Sequence, residues 1–303
     1  MHLVLALVAA ATWGASDFVG GLVGRRVPGA SVAFASQLVG LAGLAVVAPL
    51  AGGSASGADL AWGAASGLGG ATGVAFLYHG LAVGQMSVVA PLTAVGSATL
   101  PVVFGLLTGE RPSPIALAGV VLALVAVGAL CSFGPAGHDG EADEDDGGHP
   151  RETGGAGLPS AGARLPSAGA GLVSGMAAGV GFGAFFICLG RTSAGAGMWP
   201  LVPARVVSVS VLAALVLATR RALVPGGGTA PAVVLAGALD VTANAAFLLA
   251  TRRGLLSIVS LLASLYPAAT VVLARFVLHE RLTVAQSAGL AGAATAVGLI
   301  VLG

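Results

Sequence analysis

The 303-residue sequence contains no lysine; all 13 basic residues are arginine. Charge of either sign is scarce, at 8% of residues, against about a quarter in a soluble globular domain. Seven of the 12 acids (Asp139, Glu141, Asp143, Glu144, Asp145, Asp146 and Glu152) crowd into one segment, which leaves the rest of the chain almost uncharged. Each scarcity excludes a class of function. Without lysine there is no Walker phosphate loop, so a nucleotide-driven pump has no residue to work with. A net charge of +1 offers no basic footprint for nucleic acid. The two cysteines, Cys131 and Cys188, lie in apolar stretches; they make no disulfide framework and are read as packing residues. HExxH, GxSxG and paired catalytic carboxylates are all missing, so an intramembrane enzyme has nothing to stand on. No cofactor or metal motif is present, since His138, His149 and the nearby acids show no fixed ligand spacing.

What is present is apolar. Hydrophobic residues make up 56% of the chain, 49 more residues are glycine, and the mean hydropathy is +0.98. That composition cannot wrap a water-soluble body, so the sequence predicts an integral membrane protein with lipid as its main partner. Crossing about 30 Å of hydrocarbon takes about 20 apolar residues. Ten stretches of that kind occur, near 3–23, 30–50, 60–80, 86–107, 113–133, 170–190, 199–219, 231–250, 255–278 and 283–302. The first runs too far for a signal peptide. The acidic, Gly/Pro-rich segment 135–169 reads as a disordered linker, separating units 1–134 and 170–303.

Laying the sequence on itself with a shift of 170 reveals a duplication. Gly84, Ser87, Ala98, Glu110, Arg111, Gly119 and Gly128 then face Gly254, Ser257, Ala268, Glu280, Arg281, Gly289 and Gly298, and upstream Gly67 faces Gly237. The Glu-Arg pair, in register with the helix ends, is hard to obtain from apolar composition alone. Five spans per copy is an odd number, so two copies must insert with opposite orientation, as in many secondary transporters. The expected fold is therefore all-α, with ten transmembrane helices in two inverted five-helix repeats.

Several motifs resemble those of the EamA family of the drug/metabolite transporter superfamily. They are Trp13-Gly14, then Leu265-Tyr266-Pro267 followed by His279-Glu280-Arg281-Leu282 and Gly289, with the counterpart Pro101, Gly109-Glu110-Arg111 and Gly119. The resemblance implies a central cavity, surrounded by the first four helices of each repeat, through which a small metabolite or drug-like solute moves, often outward. It also implies a cytoplasmic-membrane location with both termini inside. Arginine in the loops leans the other way, seven residues against four, or five against four without the linker. Family members often carry an arginine early in the second helix of each repeat; here Arg205 stands in the second and Gln37 near the matching place in the first.

Ionisable groups within the spans are the candidate pathway residues, because an acid or arginine at mid-helix costs about 2.5–3.5 kcal/mol to insert. Asp240 falls near the middle of the eighth span with Asn244 one turn on, a polar patch that must face the bundle interior. Asp17 in the first span, one turn from Trp13, either pairs with an arginine or faces the cavity, where it could exchange protons. Arg205 either snorkels or serves as an anion site or a partner of Asp240 or Asp17. Gln37, His79 and Tyr266 lie at cavity depths. Pro91, Pro101 and Pro267 are expected to interrupt the fourth and ninth spans and mark moving helices. Glu110 and Glu280 are assigned to connecting turns, beside an N-cap at Ser113-Pro114 and a capping box at Thr283 and Gln286. Glycine stripes at Gly171, Gly175, Gly179 and Gly183, and at Gly20 with Gly24, Gly63 with Gly67 and Gly69 with Gly73, are expected to let helix backbones approach closely. A passive channel shares the polar interior and differs in that its flux neither saturates nor runs uphill.

Overall fold

The computed structural model describes residues 1–83, 86–131, 168–220, 222, 226, 228–279 and 282–303. Residues 135–167 of the expected linker, the Glu280-Arg281 pair and the side chain of Tyr78 lie outside the described residues, and the linker's expected last two residues, Ala168 and Gly169, instead open a helix. Within them the chain is helical throughout. The helices are α1 (His2–Gly24), α2 (Gly29–Leu50), α3 (Gly57–Val83), α4 (Met86–Leu107), α5 (Pro114–Cys131), α6 (Ala168–Gly190), α7 (Leu201–Ala218), α8 (Ala230–Thr251), α9 (Leu256–Ala263), α10 (Tyr266–Val277) and α11 (Val284–Leu302). Eight spans are long and apolar enough to cross a membrane, counting α9 and α10 together, and two shorter apolar stretches lie at Leu92–Leu107 and Pro114–Leu130.

The ends are set by local chemistry. Ser113 caps α5 by accepting from the Ala116 amide at 3.1 Å, and Thr283 with Gln286 closes the expected capping box on α11. The ninth span does break, at Ser264-Leu265, and Pro267 sits in the first turn of α10, where its missing N–H would have had no helical partner. The fourth span does not: α4 runs unbroken through Pro91 and Pro101. Proline's fixed φ is itself helical, and inside a packed bundle neighbouring helices compensate for the lost donor.

Glycine decides the packing. On α6, Gly175, Gly179 and Gly183 lie against Val89, Gly96 and Leu100 of α4, and a Cβ added at any of them would meet those neighbours at 3.2 Å or less. Gly63 and Gly67 press α3 against the backbone of Pro200 and Ala204 in the turn and helix of α7, while Gly237 presses α8 against Val39 of α2. Gly20 and Gly24 depart from expectation, because a Cβ on either meets nothing within 4 Å. They open onto a cavity instead. Small residues at spacing four serve equally to admit a neighbouring helix or to widen a lumen, and sequence does not separate the two.

The α5–α11 pair carries a reciprocal pattern. A Cβ on Gly119 would meet Ile300 at 2.8 Å and the Ala296 carbonyl at 3.0 Å; one on Gly289 would meet Leu130 at 2.9 Å and the Ala126 carbonyl at 3.1 Å. Shifted by 170, the second set is the first with the helices exchanged. Each glycine touches residues seven and eleven positions beyond its counterpart, two to three turns along. Only antiparallel helices related by a local twofold do that.

Candidate functional site

A cavity of about 510 Å³ is lined by α1, α2, α3, α6, α7, α8 and the start of α10. It runs from Trp13 and Asp240 at mid-depth to Gly24 and Gly29 at the α1–α2 turn. Its floor is built around one carboxylate. Asp240 pairs with Arg205 of α7, accepts the Trp13 indole N–H at 3.1 Å, and accepts the Asn244 amide at 3.3 Å. Asn244 also donates to the Asp240 carbonyl at 2.6 Å, which ties its own side chain to the preceding turn. A carboxylate has about four acceptor positions, and three donors here fix its rotamer. Arg205 is buried; it does not snorkel.

Other polar groups continue the floor. Ser208, one turn beyond Arg205, donates its hydroxyl to Gln37, so Gln37 is held by a neutral hydrogen bond. Tyr266 reaches the lining because the α9–α10 break places it at the head of a new helix. That helix is seated on α1 at Gly14, where a Cβ would meet Ala269 at 2.6 Å, and by Thr270, whose hydroxyl donates to the Gly14 carbonyl at 3.1 Å. One wall is aromatic. Trp13 lies 6.3 Å from Phe185, 5.7 Å from Phe186 and 5.8 Å from Phe247 between ring centroids, and Phe182 extends the lining.

Asp17, one turn above Trp13, is exposed into the cavity. Among the described residues no donor reaches its carboxylate, and it stands near enough to Asp240 for the two charges to interact. Thus Trp13, Asp17, Gln37, Arg205, Asp240, Asn244 and Tyr266 converge on one cavity. His79 does not join them; it is exposed near the end of α3 and does not line the cavity. Pro101 and Pro267 do not line it either, and the side chain of Pro91 lies outside the described residues.

The opposite end of the bundle, which carries both termini, is latched. Asp59 in the first turn of α3 accepts the Ser193 amide at 2.6 Å and the Ser193 hydroxyl at 3.0 Å, besides the Ser56 amide at 2.9 Å and hydroxyl at 2.7 Å. Arg252 donates to the Gly197 carbonyl, and the Ser54 amide donates to the Gly195 carbonyl at 2.9 Å. Burial pulls the Arg252 guanidinium below its ordinary value, with the charge of Asp59 working against that shift. Gly53 and Gly197, both at positive φ, allow the two turns to cross backbone to backbone. Glu110 reaches from the α4–α5 turn to accept the amides of Leu256 at 2.6 Å and Ser257 at 2.9 Å. It therefore caps α9 across 146 residues, a turn residue with a structural task.

Sequence reasoning missed Asp59, whose signal was the Ser56-x-x-Asp59 spacing at a helix start. It also missed Ser208 and the phenylalanine wall; nothing in an apolar helix marks which phenylalanine faces inward.

A profile of the EamA-like transporter family matches residues 1–131. No curated protein matches the chain. Among solved structures 28 chains match. One of them, described only as "Crystal structure of protein", superposes with a TM-score of 0.73 at 18% identity, covering 99% of this chain and 96% of its own. At that identity the likeness establishes a shared fold, and it does so over both halves.

Proposed function

From the match of residues 1–131 to the EamA-like transporter family, we infer that the chain is a secondary transporter of the drug/metabolite type, working by alternating access in the cytoplasmic membrane. In this reading ten spans form two five-helix repeats inserted with opposite orientation. The reciprocal α5–α11 contacts support it, as do helix pairings that exchange under the 170-residue shift: α1 with α8 and α3 with α6, α2 with α8 and α3 with α7. Inverted repeats can exchange conformations, so that a site open to one face becomes open to the other.

The observation that carries the reading is a cavity ending on the Arg205–Asp240 pair while the far face is held by the Asp59 and Arg252 contacts. A site sealed at one end and polar at its floor suits binding followed by a switch. A permanently open pore would need a path past Trp13 and Asp240. Export driven by protons follows if Asp17 or Asp240 takes up a proton in one orientation and releases it in the other.

The test is counterflow. Liposomes containing the purified protein are loaded with a ¹³C-labelled cell extract, and mass spectrometry follows which solutes leave when unlabelled extract is added outside. Transport predicts a small, saturable set of solutes accelerated by the opposing pool. Release that neither saturates nor responds to that pool would instead identify a channel.

A further inference from the structure

At the termini face a second cavity, of about 640 Å³, opens between the start of α1, the α8–α9 turn and the end of α11. Three basic side chains gather there: His2, Arg252 and Arg253. Arg253 is exposed, and its one side-chain partner among the described residues is the Met1 thioether at 3.1 Å, a weak acceptor for a guanidinium with five donors. Arg252 donates to the Gly197 carbonyl, and its Nε has no hydrogen bond among the described residues. The His2 imidazole has none either; it fills the space left by Gly254, where a Cβ would meet the ring at 2.5 Å. No aspartate or glutamate lines this cavity. Two acids nearby are engaged elsewhere, Asp59 with Ser56 and Ser193 and Glu110 with the amides that open α9. Against two permanent positive charges the lining offers at most one carboxylate, at Gly303.

The 170-residue shift separates what the repeated pattern needs from what this face adds. Gly254 has its counterpart in Gly84, but Arg252 and Arg253 face Ala82 and Val83, and His2 faces Leu172. Charge at these positions is no requirement of the repeat. The basic cluster belongs to one end of the bundle alone.

We propose that this cavity is a binding site for an anionic phospholipid, its phosphodiester held by Arg252, Arg253 and His2 and an acyl chain lying along Leu3, Leu255 and Val301. Guanidinium forks match phosphate oxygens in geometry. The cluster stands at the ends of α1, α8 and α11, the depth at which headgroups lie, and basic pockets between helices at that depth draw anionic headgroups. The apolar part of the lining separates a lipid from a free phosphate, because only the lipid fills both parts. The site reads the lipid of one leaflet, since the matching positions of the first half carry no charge.

Purified full-length protein, stripped of lipid in dodecyl maltoside, is titrated with dioleoylphosphatidylglycerol and, for comparison, with dioleoylphosphatidylcholine, and native mass spectrometry counts the lipid retained. A single phosphatidylglycerol should bind about 10-fold ahead of phosphatidylcholine and raise the melting temperature. Arg253→Gln, which removes no side-chain contact beyond the Met1 thioether, should weaken that binding about 5-fold; adding Arg252→Gln should bring the loss to about 30-fold. Arg26→Gln removes an exposed arginine at the opposite face and should leave binding unchanged. Should the double variant fail to fold, Arg253→Gln alone decides. Equal retention of the two lipids, wild-type binding by a folded Arg253→Gln, or an equal loss from Arg26→Gln would overturn the proposal. So would inorganic phosphate that raises the melting temperature as far as the lipid does, since the site would then hold phosphate without the chains.

Discussion

Trp13 of α1 donates its indole N–H to the carboxylate of Asp240 in α8 at 3.1 Å, across 227 positions of sequence. The same carboxylate holds Arg205 of α7. One acid thereby joins three helices at the floor of the cavity, and any rearrangement that opens the floor must first break its bonds. This hub gives the cleanest separation between structural and transport roles.

Asp240→Asn leaves Arg205 buried without a countercharge, which costs about 3 kcal/mol. Its melting temperature should fall. Adding Arg205→Gln removes the stranded charge, and the double variant should recover most of the lost stability. Thermal unfolding in detergent reads both; a double variant less stable than Asp240→Asn would mean that the pair does more for packing than for charge.

The α5–α11 contact predicts matched damage from matched mutations. Gly119→Val and Gly289→Val each push a side chain into the opposite helix, at a cost of about 1–3 kcal/mol. The two losses should agree within experimental error because the contacts are reciprocal. A large loss from one and none from the other would break the local twofold.

Glu110→Gln weakens the two charge-assisted bonds to the Leu256 and Ser257 amides. The expected loss is about 1 kcal/mol of stability, with ligand affinity unchanged because Glu110 lies outside the cavity lining. Changed affinity with unchanged stability would place Glu110 in the pathway instead.

Much of this arrangement was legible in the sequence, for a physical reason: a charge inside an apolar helix has few places to go. Asp240, Arg205 and Asp17 stood out on that ground, and Asn244 followed from helical spacing. The helix ends followed from caps such as Thr283 with Gln286. What sequence could not rank were residues whose type fits two settings. Gly20 and Gly24 read as packing surface and instead widen the cavity; Pro101 read as a break and sits within a continuous helix. Phe185 and Phe186 could equally have faced lipid. Asp59 reads as an ordinary helix cap until the fold brings Ser193 beside it.

Alternating access requires the termini face to open. With Ser54→Cys and Gly195→Cys in a background carrying Cys131→Ala and Cys188→Ala, a short thiol crosslinker should join the two turns, whose backbones already hydrogen bond. Crosslinking should stop counterflow, and reduction should restore it. Full flux through the crosslinked protein would mean that the latch never opens.

The most direct measurement is counterflow by the folded Asp240→Asn/Arg205→Gln double variant beside the wild type. If the Trp13–Asp240–Arg205 hub is the pivot of transport, the wild type exchanges solute saturably and the double variant, though folded in liposomes, exchanges none. Exchange by the double variant at the wild-type rate would contradict that role.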